Sequence, residues 1–210
     1  GDDSLHEECG VFGIFKRTDA AALTTLGLHA LQHRGQEAAG IVSFDGSQFH
    51  VERHAGLIGD TFTKQAVLER LPGSSAIGHT RYSTTGSTNL NNSQPVLSQG
   101  PDVELALAHN GNVINALPLK EELQGWGCKF NSSTDTEVIA HLLSHAPGKS
   151  WAERISYCMR RLQGAYSLVV MTKDSLIAIR DPLGVRPLCL GRLNGGWVIA
   201  SESCALDHIG

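Results

Sequence analysis

Apolar and polar positions recur along the chain with two periods, and the switches between them mark its elements. Residues 11–15, Val11-Phe12-Gly13-Ile14-Phe15, form a run of β-formers and glycine behind Cys9 and Gly10, which predicts a buried strand with a thiol at its exposed start. After Asp19, a natural N-cap, Ala22, Leu23, Leu26, Ala30 and Leu31 fall at helical spacing, and that helix is expected to stop near Gly35. Alternating runs over 40–44 and 48–54 flank Asp45-Gly46, a hairpin signal. A short helix over 63–71 ends at Pro72-Gly73, a strand covers 74–82, and 83–94 is too rich in Ser, Thr and Asn to be core. A strand over 103–108 leads into His109-Asn110-Gly111-Asn112, where Asn-Gly also suits a turn. Asn115 can cap a helix reaching Gly125, with Pro118 tolerated in its first turn. Helices follow from Thr134 to about His145 and over 150–162, then strands over 165–171, 176–179, 188–191 and 197–200. Most connections are too short for parallel crossovers, so the pattern predicts an α+β fold of two antiparallel sheets with helices outside.

Composition narrows the classes of function. With 210 residues and 41% hydrophobic content the chain can bury one sizeable core. Its 17 basic and 21 acidic residues give a net charge of −4, and no basic cluster is interleaved with aromatics, so no nucleic acid partner is expected. The acidic start Gly1-Asp2-Asp3-Ser4-Leu5-His6-Glu7-Glu8 is unlike a signal peptide and no apolar run is long enough for a bilayer, so no membrane association and a cytoplasmic location are expected. Five cysteines without a Cys-x-x-Cys pair suggest reduced thiols rather than a disulfide framework or a zinc site. His29/His33 and His141/His145 each lie four apart on expected helices, as zinc ligands can, but neither pair has the acidic neighbour of His-Glu-x-x-His. Packed or surface histidines, and no metal, are expected.

A cysteine opening a core strand is by default a small hydrophobe. Five separated stretches argue otherwise: Cys9-Gly10-Val11-Phe12-Gly13, Leu31-Gln32-His33-Arg34-Gly35-Gln36-Glu37, Gly78-His79-Thr80-Arg81-Tyr82-Ser83-Thr84-Thr85-Gly86, His109-Asn110-Gly111-Asn112 and Ser133-Thr134-Asp135-Thr136-Glu137. In this order they resemble the glutaminase domain of class II glutamine amidotransferases, which are N-terminal-nucleophile hydrolases, over essentially the whole chain from Glu8 to Asp207. The resemblance implies a four-layer αββα sandwich, a cysteine nucleophile at Cys9, an oxyanion hole from the Asn110 side chain and the Gly111 N–H, and L-glutamine as substrate. Arg81 offers a planar fork that can hold the substrate α-carboxylate, although a solvated arginine at a strand end is the ordinary alternative. Asp135 can accept from the α-ammonium, yet Asp at a helix start also serves as a cap, and the two roles compete for the same oxygens. Thr84 is a further polar contact on the family pattern. Arg34 and Gly35 suit a helix C-terminus on structural grounds, and the resemblance adds that their loop lines the site. Arg180-Asp181-Pro182-Leu183-Gly184-Val185-Arg186-Pro187-Leu188 also matches the family and reads as a tight turn in which Asp181 and Arg186 can pair, with no catalytic role.

An N-terminal nucleophile needs its own α-amine free to take the thiol proton, because an amide nitrogen cannot. Residues 1–8 suit an expression scar, a disordered tail or a removable leader. That requirement favours a leader, which makes 9–210 the glutaminase domain and the chain with Gly1 to Glu8 attached its unprocessed form. Gln32-His33-Arg34-Gly35-Gln36-Glu37 and Ala200-Ser201-Glu202-Ser203-Cys204-Ala205-Leu206-Asp207 resemble the subgroup in which the glutaminase supplies ammonia to a phosphoribosyltransferase domain at the first committed step of purine synthesis. No strand ending in paired acidic residues with a phosphate loop occurs here, so that domain is expected to be absent from this chain. Magnesium, an iron–sulfur cluster and homo-oligomerisation are expected only of the full-length enzyme. The alternatives are the glutaminase of another class II enzyme, such as glucosamine-6-phosphate synthase, and a catalytically silent interaction domain.

Overall fold

The structure is a computed structural model that describes residues 9–31, 36–82, 90–184 and 188–201. In chain order the elements are β1 (Gly10–Phe15), α1 (Ala20–Ala30), β2 (Gln36–Phe44), β3 (Phe49–Ala55), α2 (Ile58–Thr61), α3 (Gln65–Glu69), β4 (Ser75–Tyr82), β5 (Val96–Gln99), β6 (Glu104–Val113), α4 (Ala116–Gly125), α5 (Asp135–His145), α6 (Trp151–Arg161), β7 (Gly164–Met171), β8 (Leu176–Arg180), β9 (Cys189–Leu193) and β10 (Gly196–Ala200), with a 3-10 turn at Leu90–Asn92. The strands form a six-stranded sheet in the order β3-β2-β4-β1-β10-β9 and a four-stranded sheet in the order β5-β6-β7-β8. Neighbours pair antiparallel throughout.

Side-chain alternation divides the core into three slabs. Val11, Val42, Ile77 and Ile199 of the larger sheet meet Ala106, Ala108, Val169 and Met171 of the smaller one. Phe12, Ile14, Ala39, Ile41 and Ala76 point the other way, against Ala20, Ala21 and Leu28 of α1. On the far side Leu105, Leu107, Leu168 and Val170 pack on Val138, Ile139 and Leu142 of α5. The layers are therefore helix, sheet, sheet, helix. Close approach of α1 depends on absent side chains: a Cβ on Gly27 would lie 2.3 Å from the Phe12 ring, and one on Gly78 would lie 2.6 Å from Leu28.

Several local expectations change. Asp19 stands at the N-cap position without a capping hydrogen bond, because its carboxylate pairs with Arg17. Asn115 does not cap α4 either; its side chain donates to the Arg161 carbonyl and accepts from the Gln163 N–H. α1 ends at Ala30 with Leu31 as C-cap, short of Gly35. α2 and β5 add elements where no helix or strand is expected from the pattern, and Asn110-Gly111 lies inside β6 rather than in a turn. The expected Asp181–Arg186 pair involves a residue outside the described segments.

Candidate active site

β1 and β4 are register partners, with Gly10 opposite Thr80 and Val11 opposite His79. Cys9 immediately precedes β1, at the end of the sheet where β4 carries Arg81. Side chains two apart on a strand share a face. Val11 and Ile77 face the smaller sheet. Cys9, His79 and Arg81 therefore extend from that inter-sheet face, just past its last apolar layer. On the smaller sheet Ala106 and Ala108 face inward, which directs Asn110 into the same space, with Ser167 beside it across β7. Cys9, Arg81 and Asn110 thus converge on one end of the sandwich from three strands.

The start of β1 is pinned on both sides. The Gly10 N–H donates to Thr80 Oγ1 at 3.1 Å, the Val11 N–H donates to Ser201 Oγ at 3.1 Å, and the Ser201 N–H donates to the Val11 carbonyl at 2.9 Å. Ser201 is a contributor that motif reading had placed only as a family signature. A Cβ on Gly10 would meet Thr80 Oγ1 at 2.6 Å and Leu31 at 2.9 Å, so the residue after Cys9 has to be glycine for α1 to lie where it does. Cys9 itself is half-buried.

The edge of β6 that faces β5 carries the clearest chemical signal. β5 ends its pairing at Val96 opposite Leu107, so amides further along β6 on that edge have no strand partner. The His109 N–H instead donates to Gln94 Oε1 at 2.6 Å, and the Val113 N–H to Asp135 Oδ2 at 2.9 Å. Gly111 lies between them with the same alternation. Its register partner Tyr166 turns both backbone groups away, donating to Asp181 Oδ1 and accepting from the Asp181 N–H, each at 3.0 Å. The Gly111 N–H is thereby directed to the open edge. Gly111 has φ +139°, and a Cβ there would lie 2.1 Å from the Ala165 carbonyl oxygen, so both conformation and contact require glycine.

Asp135 is the first residue of α5, but Thr134 is the cap, accepting from the Glu137 N–H. The competition between capping and ligand binding is therefore removed. Asp135 Oδ2 takes the Val113 amide, while Oδ1 lies 3.8 Å from His109 Nδ1. With its side chain one-quarter exposed, it retains acceptor capacity next to the Gly111 edge. The loop before it is tied down by Glu137, whose carboxylate accepts from the Asn131 and Ser132 N–H groups at 2.8 Å and 3.1 Å.

Arg81 Nη1 is buried with no hydrogen-bond partner among the described residues, which suits a guanidinium that receives a carboxylate from a ligand. Neighbouring His79 is fully enclosed; burial first, then the charges of His109 and Arg81, lower its pKa to about 3, so it is neutral packing under the site. Arg34, Gly35 and Thr84 lie outside the described residues. Cys158 shows the contrasting fate of a thiol, since burial pushes it up to about 12 and leaves it inert.

A thiol, a directed backbone amide, a carboxamide and a guanidinium thus meet at one end of a four-layer sandwich of two antiparallel sheets between helices. The chain belongs to the glutamine amidotransferase domain family, whose model matches residues 79–208. More particularly, its relatives are amidophosphoribosyltransferases: one from Rhizobium etli is 54% identical over 99% of this chain and 42% of its own length. A solved structure of an allosteric regulatory enzyme of purine biosynthesis matches with TM-score 0.89 at 43% identity, over 96% of this chain and 43% of that one. Glutamine phosphoribosylpyrophosphate amidotransferase from Bacillus subtilis, solved with ADP and GMP, gives TM-score 0.87 at 43% identity, over 96% of this chain and 44% of its own. The chain thus spans less than half the length of the relatives it matches.

Proposed function

We propose that this chain is the glutaminase half of an amidophosphoribosyltransferase, hydrolysing L-glutamine through a γ-glutamyl thioester on Cys9. Once residues 1–8 are removed, the new α-amine takes the thiol proton, and Sγ attacks the carboxamide carbon. Charge that develops on the carboxamide oxygen meets the Asn110 NH₂ and the Gly111 N–H. The protonated amine returns its proton to the leaving nitrogen, ammonia departs, and water then cleaves the thioester. Arg81 holds the substrate α-carboxylate and Asp135 its α-ammonium, with Thr84, Arg34 and Gly35 completing the pocket.

The observation that carries this reading is the convergence of Cys9, Arg81 and Asn110 beside an open Gly111 amide edge. The ammonia would pass to a phosphoribosyltransferase half that converts phosphoribosyl pyrophosphate to phosphoribosylamine, in the cytoplasm. Nothing described here fits the cofactors expected of that half. Among the described residues the metal-type donors gather in one group with a single cysteine, whereas an iron–sulfur cluster needs about four thiolates and magnesium needs oxygen ligands. No helix among the described residues is long and apolar enough to cross a membrane.

Ammonia release from glutamine by leader-free protein tests the reading. Release that disappears in Cys9→Ser, with the fold retained, is expected. Equal release by Cys9→Ser would refute it.

A further inference from the structure

Where α5 meets β5 and the connection after α4 lies a group the glutaminase chemistry does not use. Cys128, on the connection after α4, joins His141 and His145 of α5, and one donor atom from each lies within 4.8 Å of the others. Cys128 Sγ is 3.6 Å from His145 Nε2. Donors on a tetrahedral zinc-type ion stand roughly 3.3 to 3.8 Å apart, given metal–nitrogen and metal–sulfur bonds of about 2.0 and 2.3 Å. The Cys128–His145 pair is thus already at ligand spacing, and His141 stands within 4.8 Å of both.

The surroundings prepare the two imidazoles as ligands. His145 Nδ1 lies 2.9 Å from the His141 carbonyl oxygen, which can only accept, so Nδ1 carries the proton and Nε2 keeps its lone pair. His141 Nδ1 is held by Ser98 Oγ at 2.8 Å, and Ser98 is itself bonded to Ser144 Oγ at 2.7 Å. His141 Nε2 is buried beside the Lys129 backbone, next to a thiol and a second imidazole.

We infer that Cys128, His141 and His145 form a binding site for one borderline-soft divalent metal ion of the zinc class, with the fourth position open to water or an added ligand. On binding, the Cys128 thiol loses its proton to solvent as the metal–sulfur bond forms, and no electron changes hands. Imidazole and thiolate donors favour such an ion over magnesium or calcium. The ion would staple the 126–134 connection to α5, and so brace the segment that leads to Asp135.

The test uses the whole chain carrying Cys9→Ser, so that the nucleophile adds no thiolate signal, titrated with cobalt(II) under reducing conditions. Saturation at about one equivalent with a sulfur-to-cobalt charge-transfer band and intense tetrahedral visible bands is expected. Adding Cys128→Ser should erase the charge-transfer band, and His145→Gln, which keeps the thiol, should weaken binding at least roughly tenfold. Zinc should raise the melting temperature of the parent and leave Cys128→Ser unmoved. Weak octahedral bands alone, a charge-transfer band that survives Cys128→Ser, or unchanged affinity in His145→Gln would each overturn the assignment.

Discussion

Tyr166 and Asp181 exchange two hydrogen bonds of 3.0 Å, the Tyr166 N–H to Asp181 Oδ1 and the Asp181 N–H to the Tyr166 carbonyl. Because Tyr166 is the register partner of Gly111, this exchange leaves the Gly111 amide facing the open edge of β6. The other Asp181 oxygen accepts from the Leu183 N–H, and the Asp181 carbonyl accepts from the Gly184 N–H, so the exposed Asp-Pro-Leu-Gly turn is clamped on the buried Asp181 carboxylate. Asp181→Ala should cost about 2 kcal/mol of stability, since it leaves buried amides without acceptors, and should lower kcat more than it changes KM. Asp181→Asn keeps an oxygen for the Tyr166 amide and should recover most of both losses. Denaturant melts and glutaminase kinetics on the pair check this.

Gly111→Ala should be far worse than an ordinary glycine replacement. The added Cβ meets the Ala165 carbonyl oxygen at 2.1 Å while φ stays at +139°, so strain and clash coincide. A loss above about 2 kcal/mol is expected in denaturant melts, together with loss of glutamine turnover.

Arg81 and Asp135 should separate binding from stability in opposite ways. Arg81 has a buried nitrogen without a partner among the described residues, so Arg81→Met should abolish glutamine binding while raising ligand-free stability by about 1 kcal/mol. Arg81→Lys keeps the charge but loses the fork, and should mainly raise KM. Asp135→Asn retains an acceptor for the Val113 amide and should stay folded, yet raise KM roughly tenfold to hundredfold through loss of the ammonium contact. Thermal melts beside steady-state kinetics distinguish these outcomes.

His79 gives the fold a pH dependence of known sign. Its folded pKa, about 3, is below its unfolded value, so between pH 6.5 and 3 the unfolded chain binds a proton that the folded one refuses. Stability should therefore fall with pH through that window, by up to about 1.4 kcal/mol per unit from this residue. Urea melts at pH 7 and 5 should show a smaller drop for His79→Gln than for the wild type.

Two antiparallel sheets with helices outside are legible from periodicity and short connections, whereas the four-layer order and the site residues rest on the resemblance that the short motifs carry. Cys9 and Asp135 each stand beside a strand or helix signal that the structure bears out. What was not legible depends on partners distant in sequence. Asn110-Gly111 suits a turn locally, and only pairing with β7 holds it in a strand. Asp19 and Asn115 are good caps by type, yet Arg17 and the Arg161–Gln163 backbone compete for their side chains. β5 is four residues long behind a proline, too short for alternation to register. The donor that Cys128 adds to His141 and His145 comes from a neighbouring loop, which no i, i+4 rule can reveal.

The most direct measurement is the intact mass of the purified chain before and after incubation with 6-diazo-5-oxo-norleucine, a glutamine-like alkylating agent. Loss of residues 1–8 and a single adduct on Cys9, absent from Cys9→Ser and suppressed by glutamine, is the predicted result. Processed protein that takes no adduct, or takes one equally well as Cys9→Ser, would contradict a glutaminase built on Cys9.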